Sequence, residues 1–202
     1  MTSTFKEEKF LWKKGFKRVV CLDEAGRGPL AGPVVAAAVS FIPNPRLLIP
    51  KLRDSKKLTK KKREEFYKIL TKNPATKWGI GIVSERVIDK INILEATKLA
   101  MKKAFKKLKP DFLILDGNMK LKINIPQKSI VKADEKVFSC TSASILAKVT
   151  RDKIMQKYHK KYPKYGFNKH KGYPTKHHFR MLQRYGPCKI HRKSFKPLKK
   201  NK

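Results

Sequence analysis

Residues 19–29 begin as an apolar run, Val19 to Leu22, and end it in two adjacent carboxylates, Asp23 and Glu24. The chain then passes at once into a small-residue turn carrying one guanidinium, Gly26-Arg27-Gly28. Around this segment the sequence holds 51 Lys and Arg against 15 Asp and Glu, a formal net charge of +36. A surface that basic gathers a polyanion through phosphate contacts and counterion release, without reading base sequence. Acids at the end of a buried strand would repel that polyanion unless cations bridged the two. The chemistry implied is metal-assisted attack on a phosphodiester, with carboxylates holding divalent ions against the backbone.

Asp116 and Asp134 extend the pattern, since each closes an apolar or β-branched run. Neighbouring parallel strands open at their carboxyl ends into one crevice, where α/β proteins place their sites. Carboxylates gathered there cannot all stay ionised without a cation. Hard oxygen ligands select Mg²⁺ or Mn²⁺, which keep waters and take phosphate oxygens to complete an octahedron. Taken singly, Asp116-Gly117-Asn118 also suits a turn, and Asp134 suits a helix cap. Asp23-Glu24 is different, because two adjacent acids at the end of a buried strand gain nothing structurally. Glu64, Glu65, Glu85, Asp89 and Glu95 fall on helical faces and read as solvated charges.

The elements that must position these acids follow from hydrophobic period and breakers. Strands are expected over residues 19–23, 34–41, 78–83, 112–116 and 129–134. Helices are expected over 60–72, 91–108 with a start near Ser84, 136–158 and 175–185. Antiparallel strands followed by alternation of strands and helices give an α/β class with a sheet of mixed direction. The chain divides into a basic N-terminal segment, 1–18, a domain over 19–188 and a mobile basic tail, 189–202. The stretch from Pro43 to Lys56 reads as loop.

Composition narrows the class further. At 202 residues the chain fits one ordinary domain, and 40% hydrophobic content supports a core. Cys21, Cys140 and Cys188 are odd in number and far apart, which argues against a disulfide framework or zinc knuckle and suits a reducing cytoplasm. His159, His170, His177, His178 and His191 match no compact zinc pattern, and His177 and His178 read as phosphate contacts or surface groups. No apolar run approaches the ~20 residues of a membrane span, and residues 1–17 hold no secretory signal. No exposed apolar seam is evident, so a monomer is expected.

The blocks at 23–39, Asp-Glu-Ala-Gly-Arg-Gly-Pro-Leu-Ala-Gly-Pro-Val-Val-Ala-Ala-Ala-Val, resemble the opening signature of the ribonuclease HII family. Asp54-Ser-Lys-Lys-Leu58, Leu115-Asp-Gly-Asn118, Ser142 to Asp152, Tyr165-Gly-Phe167, His170 to Thr175 and His191 to Phe195 resemble its later blocks in order. The resemblance runs from about residue 19 to 195. It implies an RNase H-like fold, here a mixed five-stranded sheet flanked by helices with a small C-terminal helical extension. It implies a metal quartet of Asp23, Glu24, Asp116 and Asp134. It also implies hydrolysis of RNA in RNA–DNA hybrids and nicking 5′ of ribonucleotides embedded in duplex DNA, leaving 3′-hydroxyl and 5′-phosphate ends.

In this family Gly26-Arg27-Gly28 and Tyr173 would recognise the RNA-to-DNA junction. Glycines let the backbone approach a ribose 2′-OH, the group that marks RNA at a site. A tyrosine ring can pack on the adjacent deoxyribose. Lys56, Lys148 and Arg151 are the candidate phosphate contacts, with solvation as the other reading of each. The chain departs from the family at the fourth acid, with Lys132-Ala133-Asp134-Glu135 where Lys-Gly-Asp-Ala is usual, so Glu135 offers a rival carboxylate. The related ribonuclease HIII would carry an extra N-terminal domain, for which the residues before the first strand leave no room. Two rivals from residue chemistry remain: a non-catalytic RNA-binding protein using charge alone, and another metal nuclease cutting DNA or plain RNA.

Overall fold

The computed structural model describes residues 3–43 and 58–198. Lys56 and Lys57 lie outside the described residues, as does most of the 43–56 stretch read as loop. The elements run α1 (Lys6–Lys13), β1 (Val19–Ala25), β2 (Val34–Phe41), α2 (Lys60–Lys72), β3 (Thr76–Val83), α3 (Glu85–Phe105), β4 (Phe112–Asp116) and β5 (Gln127–Ile130). They continue as α4 (Ala133–Lys136), α5 (Phe138–Lys161), a 3₁₀ turn (Pro163–Tyr165), α6 (Phe167–His170) and α7 (Lys176–Tyr185).

One five-stranded sheet has the order β3-β2-β1-β4-β5. β1 pairs antiparallel with β2 and parallel with β4, and β4 pairs parallel with β5. The mixed sheet expected from the sequence is therefore the architecture found. All residues of β2 are buried, as a central strand covered on both faces must be.

Strand period sorts the core into two faces. Val20, Leu22, Leu113 and Leu115 point to α3. Val19, Cys21 and Ile114 point the other way, to Ala133, Val137 and Cys140. The α3 helix lies directly on the sheet backbone: a Cβ at Gly81 would stand 1.9 Å from the Ala100 carbonyl oxygen. It breaks at Asn92, whose backbone is left-handed at φ 64. The Asn92 side chain accepts from the Leu94 and Glu95 N–H groups, capping the second half.

Both ends of the chain depart from expectation. Residues 1–18 were expected as a basic segment, yet α1 packs onto the core. Its Leu11 is buried, and Phe5 just before it stacks on Phe138 at 4.5 Å between ring centroids. Glu8 is buried too, accepting from the Ser139 N–H and hydroxyl at 2.9 and 2.7 Å. Burial raises its pKa. Phe5, Phe10, Leu11, Trp12 and Phe16 carry an apolar signal here, but the flanking lysines hide it in a composition reading.

Residues 189–198, expected as part of a mobile tail, are seated against the link between β1 and β2. The Gly32 N–H donates to the Ile190 carbonyl and the Arg192 N–H to the Leu30 carbonyl, each at 2.8 Å. Ile190, His191 and Arg192 are buried. Lysine density suggested solvation there, but His191 and Arg192 find specific polar partners inside.

Candidate active site

Asp23 continues the Cys21 side of β1, and Asp116 continues the Ile114 side of β4. Because Leu22 pairs with Leu115, these acids lie side by side near the carboxyl ends of adjacent strands, on the face covered by α5, with β1 running two residues past Asp23 to Ala25. Asp23 is 6% exposed and accepts from the Glu24 N–H at 2.7 Å and from the Ser144 hydroxyl of α5. Burial raises its pKa well above the usual carboxylate range, and the charges of Glu24 and Asp116 add to the rise. Glu24 is also raised by burial, against the pull of Arg27, whose Nη1 lies 3.3 Å from Glu24 Oε1.

Asp134 was expected to close a strand. Instead β5 ends at Ile130, and Asp134 sits in α4, 2% exposed. The chain turns through Lys132, left-handed at φ 59, so the helix start rather than a strand end delivers this acid. Asp116 Oδ1 accepts from the Ala133 N–H at 2.6 Å and the Asp134 N–H at 3.4 Å. Thr141 Oγ1 holds the Asp134 carbonyl at 2.8 Å. Alanine at 133 is accommodated within the core, and its backbone serves as a donor to Asp116.

The oxygen-only chemistry of these acids and the mutual repulsion of Asp23, Glu24 and Asp116 fit divalent Mg²⁺-type ions. Among the described residues no group of three His, Cys, Asp or Glu side chains is placed to hold a metal ion by itself. Waters and substrate oxygens would complete an open shell of this kind.

Beside the acids runs a groove of about 470 Å³, lined by Glu24, the Gly26-Arg27-Gly28 turn, Arg63, Ser144, Lys148 and Tyr173. Of the four acids only Glu24 lines it. Tyr173 is half-exposed, with its ring near Gly28. Lys148 reaches the groove but is paired to Asp152 at 2.8 Å. Arg63 on α2 was not singled out from the sequence; it sat within a lysine run that looked like a solvated face.

Arg151, expected to meet phosphate, is 1% exposed. Its guanidinium donates to the carbonyls of Pro33, Lys171 and Ala31 at 3.0, 3.0 and 3.1 Å. Lys148 and Arg151 lie three apart on α5, but the helix runs so deep through the core that only Lys148 reaches the groove. Gly26 lies directly over it: φ is +98, and a Cβ there would meet Arg151 Nε at 2.1 Å. Only glycine fits this position.

His178 is likewise buried rather than a surface group. Its partners assign the tautomers. Nδ1 donates to the Tyr173 carbonyl at 2.9 Å, leaving Nε2 to accept from His191 Nε2 at 3.0 Å. His191 Nδ1 then accepts from the Cys188 N–H at 2.9 Å. Burial lowers both imidazoles to about 4. His177 remains partly exposed.

A mixed sheet with acids at adjacent strand ends, beside a basic groove, defines a metal-dependent nuclease of the RNase H-like type. The ribonuclease HII family model matches residues 20–198. Ribonuclease HII of Bacillus velezensis is 51% identical over 193 residues, covering 95% of this chain and 74% of that protein. The solved PCNA:RNase HII complex from Archaeoglobus fulgidus contains a chain similar at TM-score 0.76 and 25% identity, over 91% of this chain and 98% of that one. Bst-RNase HIII in complex with Mn²⁺ shares the fold at TM-score 0.68 and 15% identity, over 90% of this chain and 68% of that chain. The chain belongs to the ribonuclease HII family, divalent-metal-dependent endoribonucleases that cleave RNA in RNA–DNA hybrids and at ribonucleotides embedded in DNA.

Proposed function

We propose that Asp23, Glu24, Asp116 and Asp134 hold two divalent ions, Mg²⁺ or Mn²⁺, and that the chain nicks 5′ of a ribonucleotide, leaving 3′-hydroxyl and 5′-phosphate ends. The observation that carries this reading is the crowding of Asp23, Glu24 and Asp116 beside a groove walled by Gly26-Arg27-Gly28 and Tyr173. Ions bound there supply Lewis acidity and lower the pKa of water. Asp23 and Asp134, both buried, and the partly buried Asp116 beside them would fix the ions, while Glu24 faces the groove and the incoming phosphate. Arg27, half-exposed beside Glu24, tempers the charge of that carboxylate. Lys148 and Arg63 provide positive charge along the groove wall. Lys56 belongs to the same reading from its motif alone.

Tyr173 and the glycine turn read the junction. The turn brings backbone close to a 2′-OH, and the ring opposite stacks on the next deoxyribose. Tyr173→Ala should lose about tenfold more kcat/KM on a single embedded ribonucleotide than on a long hybrid, a difference of about 1.4 kcal/mol. Equal losses on both would remove the junction role. We read the protein as a cytoplasmic monomer; light scattering of the free protein checks the monomer, and cell fractionation the compartment.

The deciding assay is a DNA duplex holding one ribonucleotide, incubated with Mg²⁺ or with Mn²⁺, beside an all-DNA control. A nick 5′ to the ribonucleotide, absent from the control, is the expected product. Binding without cleavage in either metal would return the protein to the charge-only RNA-binder reading.

A further inference from the structure

Two arginines, Arg151 and Arg192, lie buried beneath the groove, and both guanidinium groups donate to backbone carbonyls. Arg192 donates from Nε to the Gly32 carbonyl at 2.9 Å, from Nη1 to the Arg27 carbonyl at 2.8 Å and from Nη2 to the Gly26 carbonyl at 2.6 Å. Arg151 packs under Gly26 and holds the Lys171 carbonyl, two residues before Tyr173. Burial lowers Arg192 to about 9 and Arg151 to about 10, so both stay charged at neutral pH.

The geometry points to Arg192 as a positioning residue for junction recognition, acting through the backbone of Gly26-Arg27-Gly28. In a trans peptide the carbonyl and the following N–H point in opposite directions. Arg192 draws the Gly26 and Arg27 carbonyls inward, and so turns the N–H groups of Arg27 and Gly28 outward. Arg27 and Gly28 both line the groove. Two amide donors are thereby presented toward a 2′-OH or its neighbouring phosphate. A planar fork is needed to hold two successive carbonyls at once; a lysine ammonium at the same place satisfies charge but not this geometry.

The inference deepens the junction-reading function and rests on it. It also explains why the C-terminal segment is folded into the catalytic unit. The same segment reaches the other wall, because the His191–His178 relay ends on the Tyr173 carbonyl.

The test compares Arg192→Lys, Arg192→Gln and Tyr173→Ala with the parent chain. Each is assayed for kcat and KM on a duplex with one ribonucleotide and on a long RNA–DNA hybrid, with the thermal midpoint measured alongside. Arg192→Lys should cut kcat/KM on the single ribonucleotide about tenfold while long-hybrid cleavage falls less than about threefold, the size expected for lost oriented hydrogen bonds. Arg192→Gln should show the same selective loss. Equal losses on both substrates, no loss, or failure of both variants to fold each overturn the positioning role in favour of a merely structural one. Tyr173→Ala separates the levels. If it discriminates the substrates and the Arg192 variants do not, only this inference falls; if it does not discriminate, the junction reading falls and takes this one with it.

Discussion

Asp23→Asn should reduce turnover at least about a thousandfold, the scale of losing a group that stabilises charge at the reacting centre, while raising the thermal midpoint of the metal-free protein. The two effects share one cause. Asp23 is buried, and burial together with Glu24 and Asp116 disfavours its ionised form. An acid whose native pKa is raised gives up more protons on unfolding, so the metal-free fold loses stability as pH rises from the unfolded value toward the native one. Asparagine keeps the shape and can still accept from the Glu24 N–H, but removes that penalty. Calorimetry in EDTA at neutral pH should show the variant melting higher, by a few degrees for each kcal/mol recovered. Adding Mn²⁺ should then raise the parent's midpoint by mass action and move the variant's far less. A variant that melts lower in EDTA, or is stabilised by metal as strongly as the parent, would take Asp23 out of the metal site.

That acid was legible in the sequence because its signal is local: an apolar run ending in two carboxylates has few structural explanations. The same holds for the sheet. Residues 34–41, 60–72 and 112–116 were read with the bounds the structure gives, since their period is unbroken and their ends carry caps or breakers. Asp134 was found for a partly wrong reason. The run before it is β-branched, but only Gln127–Ile130 pairs with β4, and a left-handed Lys132 starts a helix that composition does not announce. What local pattern could not reveal is depth. Arg151, Arg192, His178, His191 and Glu8 are polar residues in charged neighbourhoods, and nothing local announces their burial. Their burial depends on carbonyls and side chains far away in sequence, as with Arg192 and Gly26 or Glu8 and Ser139. A buried polar group is tolerated when its partners are supplied, and partners at that separation leave no periodic trace.

The buried histidines give the last large effect, a loss of stability in mild acid. In the native state His178 and His191 are held near pKa 4 by burial, against 6.5 for an exposed imidazole. Below about pH 6.5 the unfolded chain takes up protons that the native fold refuses until about pH 4. Stability is therefore complete above pH 6.5 and falls through that window, by on the order of 3 kcal/mol for each proton counted. The hydrogen bonds agree with this sign. A proton added to His178 would place an N–H against the N–H of His191, where the relay needs an acceptor. His170, stacked on His178 at 4.5 Å and itself lowered by burial, adds to the same trend. Glu8 and Asp23, with raised pKa values, run the other way, so the parent's slope alone is not the test. Comparing its unfolding free energy between pH 7 and pH 4.5 with that of the His178→Gln/His191→Gln double variant isolates the pair. The variant should be weaker at pH 7 but markedly less sensitive to acid, because it has lost the two groups that must charge. Parallel curves would mean that acid acts elsewhere and that the relay under Tyr173 does not set the acid limit of the fold.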